Sequence, residues 1–326
     1  MANAIYSNAR ARVLETSLLG KDRIDRMLDC VTADDAVKVL EEINFGEGVT
    51  IESALDFELL INAEKKKLFD FIKEAGPSKD FGDFILLKND FHNAEAYIKA
   101  KYLKIDAEPM TEISGSIDKA ELKEKIMVDD YDSFPNGLKK ALSYCDEEFV
   151  GGRANGLKVN SAFEKYYFEE LYERSKTNKY LSEIYRSKAD AANISIALRL
   201  RNYNEAKGLF VKNGDLTDAQ LKSLCEDQLE TLKDKFKFYI RYQMLAVALE
   251  GAIAKKPLSE FERIAEGFAI DRLLKEKFSN EGILPFMQYC FYKLGDISNV
   301  RIIMVGLING LDKTEIRRRL RSYYER

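Results

Sequence analysis

Apolar residues recur at helical spacing along nearly the whole chain. Thr217-Asp-Ala-Gln220 has the form of a capping box, and behind it Leu221, Leu224, Leu232, Phe236 and Tyr239 predict one long helix running toward Ala254 and stopped by Lys255-Lys256-Pro257. Thr32-Ala-Asp-Asp35 opens another, with Val37, Leu40 and Ile43 on its inner face. Pro77, Pro109, Pro135 and Pro285 fall at expected helix ends, and Gly151-Gly152-Arg-Ala-Asn-Gly156 reads as a flexible loop.

The same pattern returns three times. Leu87–Ile98, Ser187–Leu198 and Lys293–Met304 align with one another, and each carries Asp-x-x-Asn: Asp90/Asn93, Asp190/Asn193 and Asp296/Asn299. The tetrapeptide alone is weak, but the apolar register around it agrees in all three. Phe81, Leu181 and Met287 stand nine before the Asp, and Ile85, Tyr185 and Phe291 five before. Phe91, Ala191 and Ile297 follow one after, Ala94, Ile194 and Val300 four after, and Ile98, Leu198 and Met304 eight after. Leu68, Phe168 and Leu274 agree 22 before. The stripes before and after the Asp are out of phase by about one residue, so a helix break is expected there, with the Asp as N-cap.

Downstream, Gly115-Ser-Ile-Asp-Lys-Ala-Glu-Leu-Lys123 parallels Gly214-Asp-Leu-Thr-Asp-Ala-Gln-Leu-Lys222. The third copy reaches Gly310-Leu-Asp-Lys-Thr-Glu-Ile316 sooner and reads as a shortened version. An all-α chain of three tandem related domains is expected, at residues 1–125, 126–230 and 231–326.

Composition sharpens the helical reading. The 326 residues hold 5 prolines and 18 glycines, too little punctuation for a many-turned β fold. Fifty-one basic against 55 acidic residues leave a net charge of −4, so no global field favours nucleic acid. Cys30, Cys145, Cys225 and Cys290 lack any C-x-x-C pair and read as reduced small hydrophobes. No signal peptide is expected at the start. The longest uncharged stretches, Gly282–Tyr292 and Ile302–Leu311, are about half of the ~20 residues a membrane span needs.

Catalytic chemistry has little to work with. Nucleotide, dinucleotide, zinc-protease and esterase motifs are missing, and His92 is the single histidine. One carboxylate and one amide per repeat are too few hard ligands for a metal, so neither metal nor cofactor is expected. The tail from Lys313 to Arg326 is basic. Arg317, Arg318, Arg319 and Arg321 fan around a helical turn and place Arg317, Arg318 and Arg321 as candidate contacts for an acidic partner. Arg241-Tyr242 and Arg321-Ser-Tyr-Tyr324 leave a free-standing helical scaffold or RNA-binding module as the alternative.

With these repeats, Tyr6-Ser-Asn-Ala-Arg-Ala-Arg12, Leu86-Leu-Lys-Asn-Asp-Phe-His-Asn93, Ala189-Asp-Ala-Ala-Asn193 and the helical tail beyond Asn299, the whole chain resembles the C-subunit family of V-type and A-type rotary ATPases, equivalent to the d subunits of eukaryotic vacuolar enzymes. The resemblance implies a pseudo-threefold helical funnel and a non-catalytic role in the central stalk. It implies a socket between the D and F shaft subunits and the membrane proteolipid ring, peripheral to the membrane at its cytoplasmic face. The length points to a bacterial or archaeal form.

Overall fold

A computed structural model describes residues 3–152, 155–274, 276 and 281–321. Every regular element among them is helical. In chain order these are α1 (Ala4–Leu14), α2 (Gly20–Asp29), α3 (Ala33–Glu42), α4 (Phe57–Ala75), α5 (Lys79–Leu103), α6 (Lys119–Met127), α7 (Asn136–Val150) and α8 (Gly156–Ser175). They continue as α9 (Lys179–Leu200), α10 (Tyr203–Ala206), α11 (Asp218–Glu226), α12 (Leu229–Lys235), α13 (Tyr242–Ile253), α14 (Leu258–Leu274), α15 (Leu284–Ile308) and α16 (Lys313–Arg319). Arg153 of the glycine loop, and Tyr323, Tyr324 and Arg326 of the tail, lie outside the described residues.

The chain forms two compact units. The first joins Met1–Gly82 to Leu273–Arg326, so both ends of the chain build it. Its centre is α15, on which α1, α2, α3, α4 and α16 pack. Every residue from Leu284 to Lys293 is buried, as expected of a helix covered all round. Phe286 packs against Phe71 at 5.1 Å and edge-on to Phe81 at 5.5 Å between ring centres. Farther along, Gly306 admits the Ile316 side chain of α16, where any larger residue would collide with it.

The second unit runs from Asp83 to Arg272. Here α9 is surrounded by α8, α10, α11 and α13. Ile194 and Ala197 of α9, Leu221 and Leu224 of α11, Met244, Leu245 and Leu249 of α13 and Phe261 of α14 share one apolar cluster. In α5, Phe91 meets Phe163 and Tyr167 of α8 with ring centres 6.2 and 5.6 Å apart.

Several helix starts are set by the expected side chains. Thr32 accepts from the Asp35 N–H, and Thr217 with Gln220 forms a complete capping box. Val37 and Leu40 are buried as expected, and Ile43 is half-buried. Pro285 stands in the first turn of α15, where its missing N–H costs nothing. Cys145, Cys225 and Cys290 are buried free thiols, whereas Cys30 is only half-buried.

Two local expectations are corrected. The run from Thr217 to Ala254 is three helices, α11, α12 and α13, with turns at Asp227–Gln228 and Phe236–Arg241. Arg201, at φ 48° just beyond α9, donates to the Leu224 and Asp227 carbonyls and ends α11 from the side. The Asp227 carboxylate accepts from Ser223 and from Lys235 Nζ at 2.6 Å, which holds the turn. The Asp-x-x-Asn motifs do not start helices either: all three lie inside unbroken α5, α9 and α15. The slip between stripes arises because these helices are buried on more than one side. In α9, Tyr185 before the Asp meets Phe168 and Tyr172 of α8, while Ile194 after it joins the cluster with α11 and α13.

Candidate functional site: three aspartate–asparagine clasps

Buried carboxylates and amides inside a helix have no free helix ends to cap, so their partners come from elsewhere. In each repeat the Asn side chain grips one later residue by both of its backbone polar groups, or by that residue and its neighbour. Asn93 Oδ1 accepts from the Glu112 N–H at 2.7 Å, and its Nδ2 donates to the Glu112 and Ile113 carbonyls at 3.2 and 3.3 Å. Asn193 holds Val211 at 2.7 and 2.9 Å. Asn299 holds Arg321 at 2.7 and 3.2 Å. The amide thus copies the two-bond pairing of a β ladder with a segment that has no other strand.

The Asp one turn earlier receives the backbone that leads into the next helix. Asp90 accepts from the Ser116 and Ile117 N–H groups at 3.1 and 3.0 Å, and from the Ser116 hydroxyl. Asp190 accepts from Asp215 and Leu216 N–H at 2.9 and 3.1 Å. A Cβ at Gly115 or Gly214 would collide with the carboxylate, which is why glycine precedes the donors in both copies.

The third clasp is closed by the opposite end of the chain. Asp296 Oδ2 accepts from the Leu19 N–H at 2.8 Å, across a sequence separation of 277 residues. Ser17-Leu-Leu-Gly-Lys-Asp-Arg-Ile24 therefore takes the place of Gly115–Leu122 and Gly214–Leu221. Five residues after the donor, Ile24, Leu122 and Leu221 are all buried in α2, α6 and α11. The expectation that Gly310–Ile316 is the shortened counterpart is corrected: α16 precedes the Asn299-bound Arg321, as α10 precedes the Asn193-bound Val211.

Electrostatics separate the copies. Asp190 also accepts from the Tyr239 hydroxyl at 2.6 Å and from Arg241 Nη1 at 3.0 Å. The Arg241 side chain is 8% exposed and also pairs with Glu183 at 3.1 Å and with Asp215. Burial raises the Asp190 pKa, and the Tyr239 hydroxyl, the Leu216 N–H and Arg241 oppose that rise. Burial and Asp190 push the Tyr239 phenol up, so it stays the donor. Among the described residues Asp296 has no such cation at bonding distance. Burial pushes it up to about 6, opposed by the Leu19 N–H and then by Lys293 and Arg23. The Lys293 ammonium is engaged instead with Glu64 at 2.5 Å.

These groups tie backbone segments to buried helices. Each carboxylate faces N–H and O–H donors or cations, and His92 Nε2 lies 2.9 Å from the Met110 carbonyl, beside the first clasp. Arg241, a candidate RNA contact by sequence, is consumed in the Asp190 network. On α16, Arg317 pairs with Asp25 of α2 at 2.7 Å, and Arg318 and Arg319 share Glu315. Arg317 and Arg318 remain exposed, and Arg321 is half-buried with its N–H on Asn299. Sequence reasoning singles out the six motif residues but does not link Tyr239, Arg241 or Leu19 to them. A donor two residues after the repeated glycine is the available signal for Leu216, and none exists for Arg241.

The model of the ATP synthase (C/AC39) subunit family matches residues 7–319, from α1 through α16. The chain belongs to this family. It is similar to the C subunit of the A-type ATP synthase of Methanocaldococcus jannaschii, 24% identical over 97% of this chain and 86% of that protein. The C subunit of the V-type sodium ATPase of Enterococcus hirae is 20% identical over 98% of both chains. The C subunit of the V-type ATP synthase of Thermus thermophilus is 24% identical over 65% of this chain and 68% of its own length. As a member of the C/AC39 family, the chain is a non-catalytic component of a V/A-type rotary ATPase. No helix among its described residues is long and apolar enough to cross a membrane.

Proposed function

We propose that this protein is the socket of the central stalk, seating the D and F shaft subunits on the membrane proteolipid ring at the cytoplasmic face. It would pass torque between shaft and ring during proton- or sodium-coupled ATP synthesis or hydrolysis. The observation that carries the reading is the clasp, repeated three times in a C/AC39 family member. A torque-bearing joint needs successive helices locked to one another, and each clasp ties a buried helix to the segment entering the next. Three related helical repeats around one axis would offer equivalent faces to a rotating shaft. In this reading the arginines of α16 and its end, Arg317, Arg318 and Arg321, form a rim for an acidic partner surface.

Purification of the intact ATPase from native membranes tests the proposal. The protein should co-purify with shaft and proteolipid subunits, and its removal should uncouple ATP hydrolysis from ion transport. A ring-containing, coupled complex that consistently lacks this chain would overturn the assignment.

A further inference from the structure

The third clasp is built like the others but left incomplete. In the first two copies, consecutive N–H groups reach the carboxylate: Ser116 and Ile117, then Asp215 and Leu216. In the third, the Leu18 N–H is spent on the Glu15 carbonyl at 3.2 Å, inside the turn Glu15–Ser17. Among the described residues, Leu19 alone is left to donate. Asp296 Oδ1 is accordingly buried with no hydrogen-bond partner among the described residues. Ser17 stands where the other copies place Gly115 and Gly214.

We propose that the Asp296–Leu19 contact is an acid-tightened latch, which holds the N-terminal segment Leu18–Asp29 against α15 more firmly when Asp296 is protonated. The charged and titratable groups around it fix the direction. Lys293 on α15 and Arg23 on α2 favour the carboxylate, Glu64 on α4 disfavours it, and burial disfavours it most. Lys293 is compensated by Glu64 itself, and Arg23 Nη1 donates to the Leu18 carbonyl at 3.0 Å. Neither cation therefore bonds the aspartate.

The docked carboxyl titrates at about 6, whereas an undocked, solvated aspartate titrates at about 3.9. The docked state thus binds the proton more tightly, so docking weakens as pH rises from about 4 through 6 and levels off above that window. Across pH 5 to 8 these two values give about a ten-fold increase in the opening equilibrium of the segment.

Amide hydrogen exchange of the full chain, corrected for intrinsic rates, reads this opening at Leu19 and in α2. The expected result is about ten-fold more opening at pH 8 than at pH 5 in the wild type, and a flat profile in Asp296→Asn, which keeps an acceptor for the Leu19 N–H. Opening that does not change with pH in the wild type, or an unchanged pH profile in the Asn variant, would overturn the latch. Should that variant fail to fold, carboxyl-carbon NMR titration of the wild type decides: a midpoint near 6 for Asp296 supports the proposal, and one near 4 refutes it.

Discussion

The clasps at Asp190 and Asp296 are made from the same pair of side chains but secured differently. Asp190 is closed by a segment 25 residues away and by Tyr239 and Arg241, so its charge is met by four protein groups. Asp296 is closed by one N–H, 277 residues away. Joining ends across the longer span costs about 2 kcal/mol more in an unfolded chain, and the second unit completes its clasp without either terminus. One motif therefore yields a rigid joint where the chain is continuous and a conditional joint where the repeat is assembled from both ends.

Arg241→Ala should break that contrast most severely. It leaves Asp190 buried beside Asp215 and Glu183 without their shared cation, a loss of about 3–5 kcal/mol. The corresponding change near the third clasp, Arg23→Ala, removes only a long-range charge and one bond to the Leu18 carbonyl and should cost about 1 kcal/mol. Denaturant unfolding of both variants checks the order. Equal losses would mean that Arg241 does not hold the second clasp.

Gly214→Ala is the next test. A methyl group there drives into the Asp190 carboxylate, and the tight packing around it should cost about 1–3 kcal/mol. Ser17→Ala, at the equivalent place in the third copy, should change thermal stability by about 0.5 kcal/mol or less. A tolerated Gly214→Ala would show that the loop does not press against the carboxylate.

Much of this architecture is legible in the sequence, for reasons that differ from residue to residue. The repeat is visible because a helix buried all round must keep apolar residues at fixed positions, as Phe81, Leu181 and Met287 do. Caps at Thr32 and Thr217 are visible because their partners lie three residues on. Asp190 reads wrongly as a cap because its donors lie 25 and 26 residues downstream, and local rules see only the nearest helix end. The break at Asp227–Gln228 is hidden for a related reason: apolar spacing continues through α12, while Arg201 ends α11 from a distant turn. Leu19 is hidden because the third copy is completed by residues that precede the first.

The smallest effect is expected at the surface. Converting Arg317, Arg318 and Arg321 to Gln breaks, among other contacts, a partly exposed pair to Asp25 and a shared pair to Glu315, each worth about 0–1 kcal/mol. Melting should scarcely move, while reassembly with purified shaft or ring should weaken and become more salt-sensitive. Wild-type reassembly at every salt concentration would reduce these arginines to an internally paired face.

The equivalence of the three clasps is tested most directly by mapping hydrogen exchange along the full chain in Asp296→Ala. The expected result is lost protection at Leu19 and in α2, near the start of the chain, matching the loss at Leu216 and in α11 produced by Asp190→Ala. Protection lost only in α15 and α16, with Leu19 unchanged, would contradict a third repeat closed by the N-terminal segment.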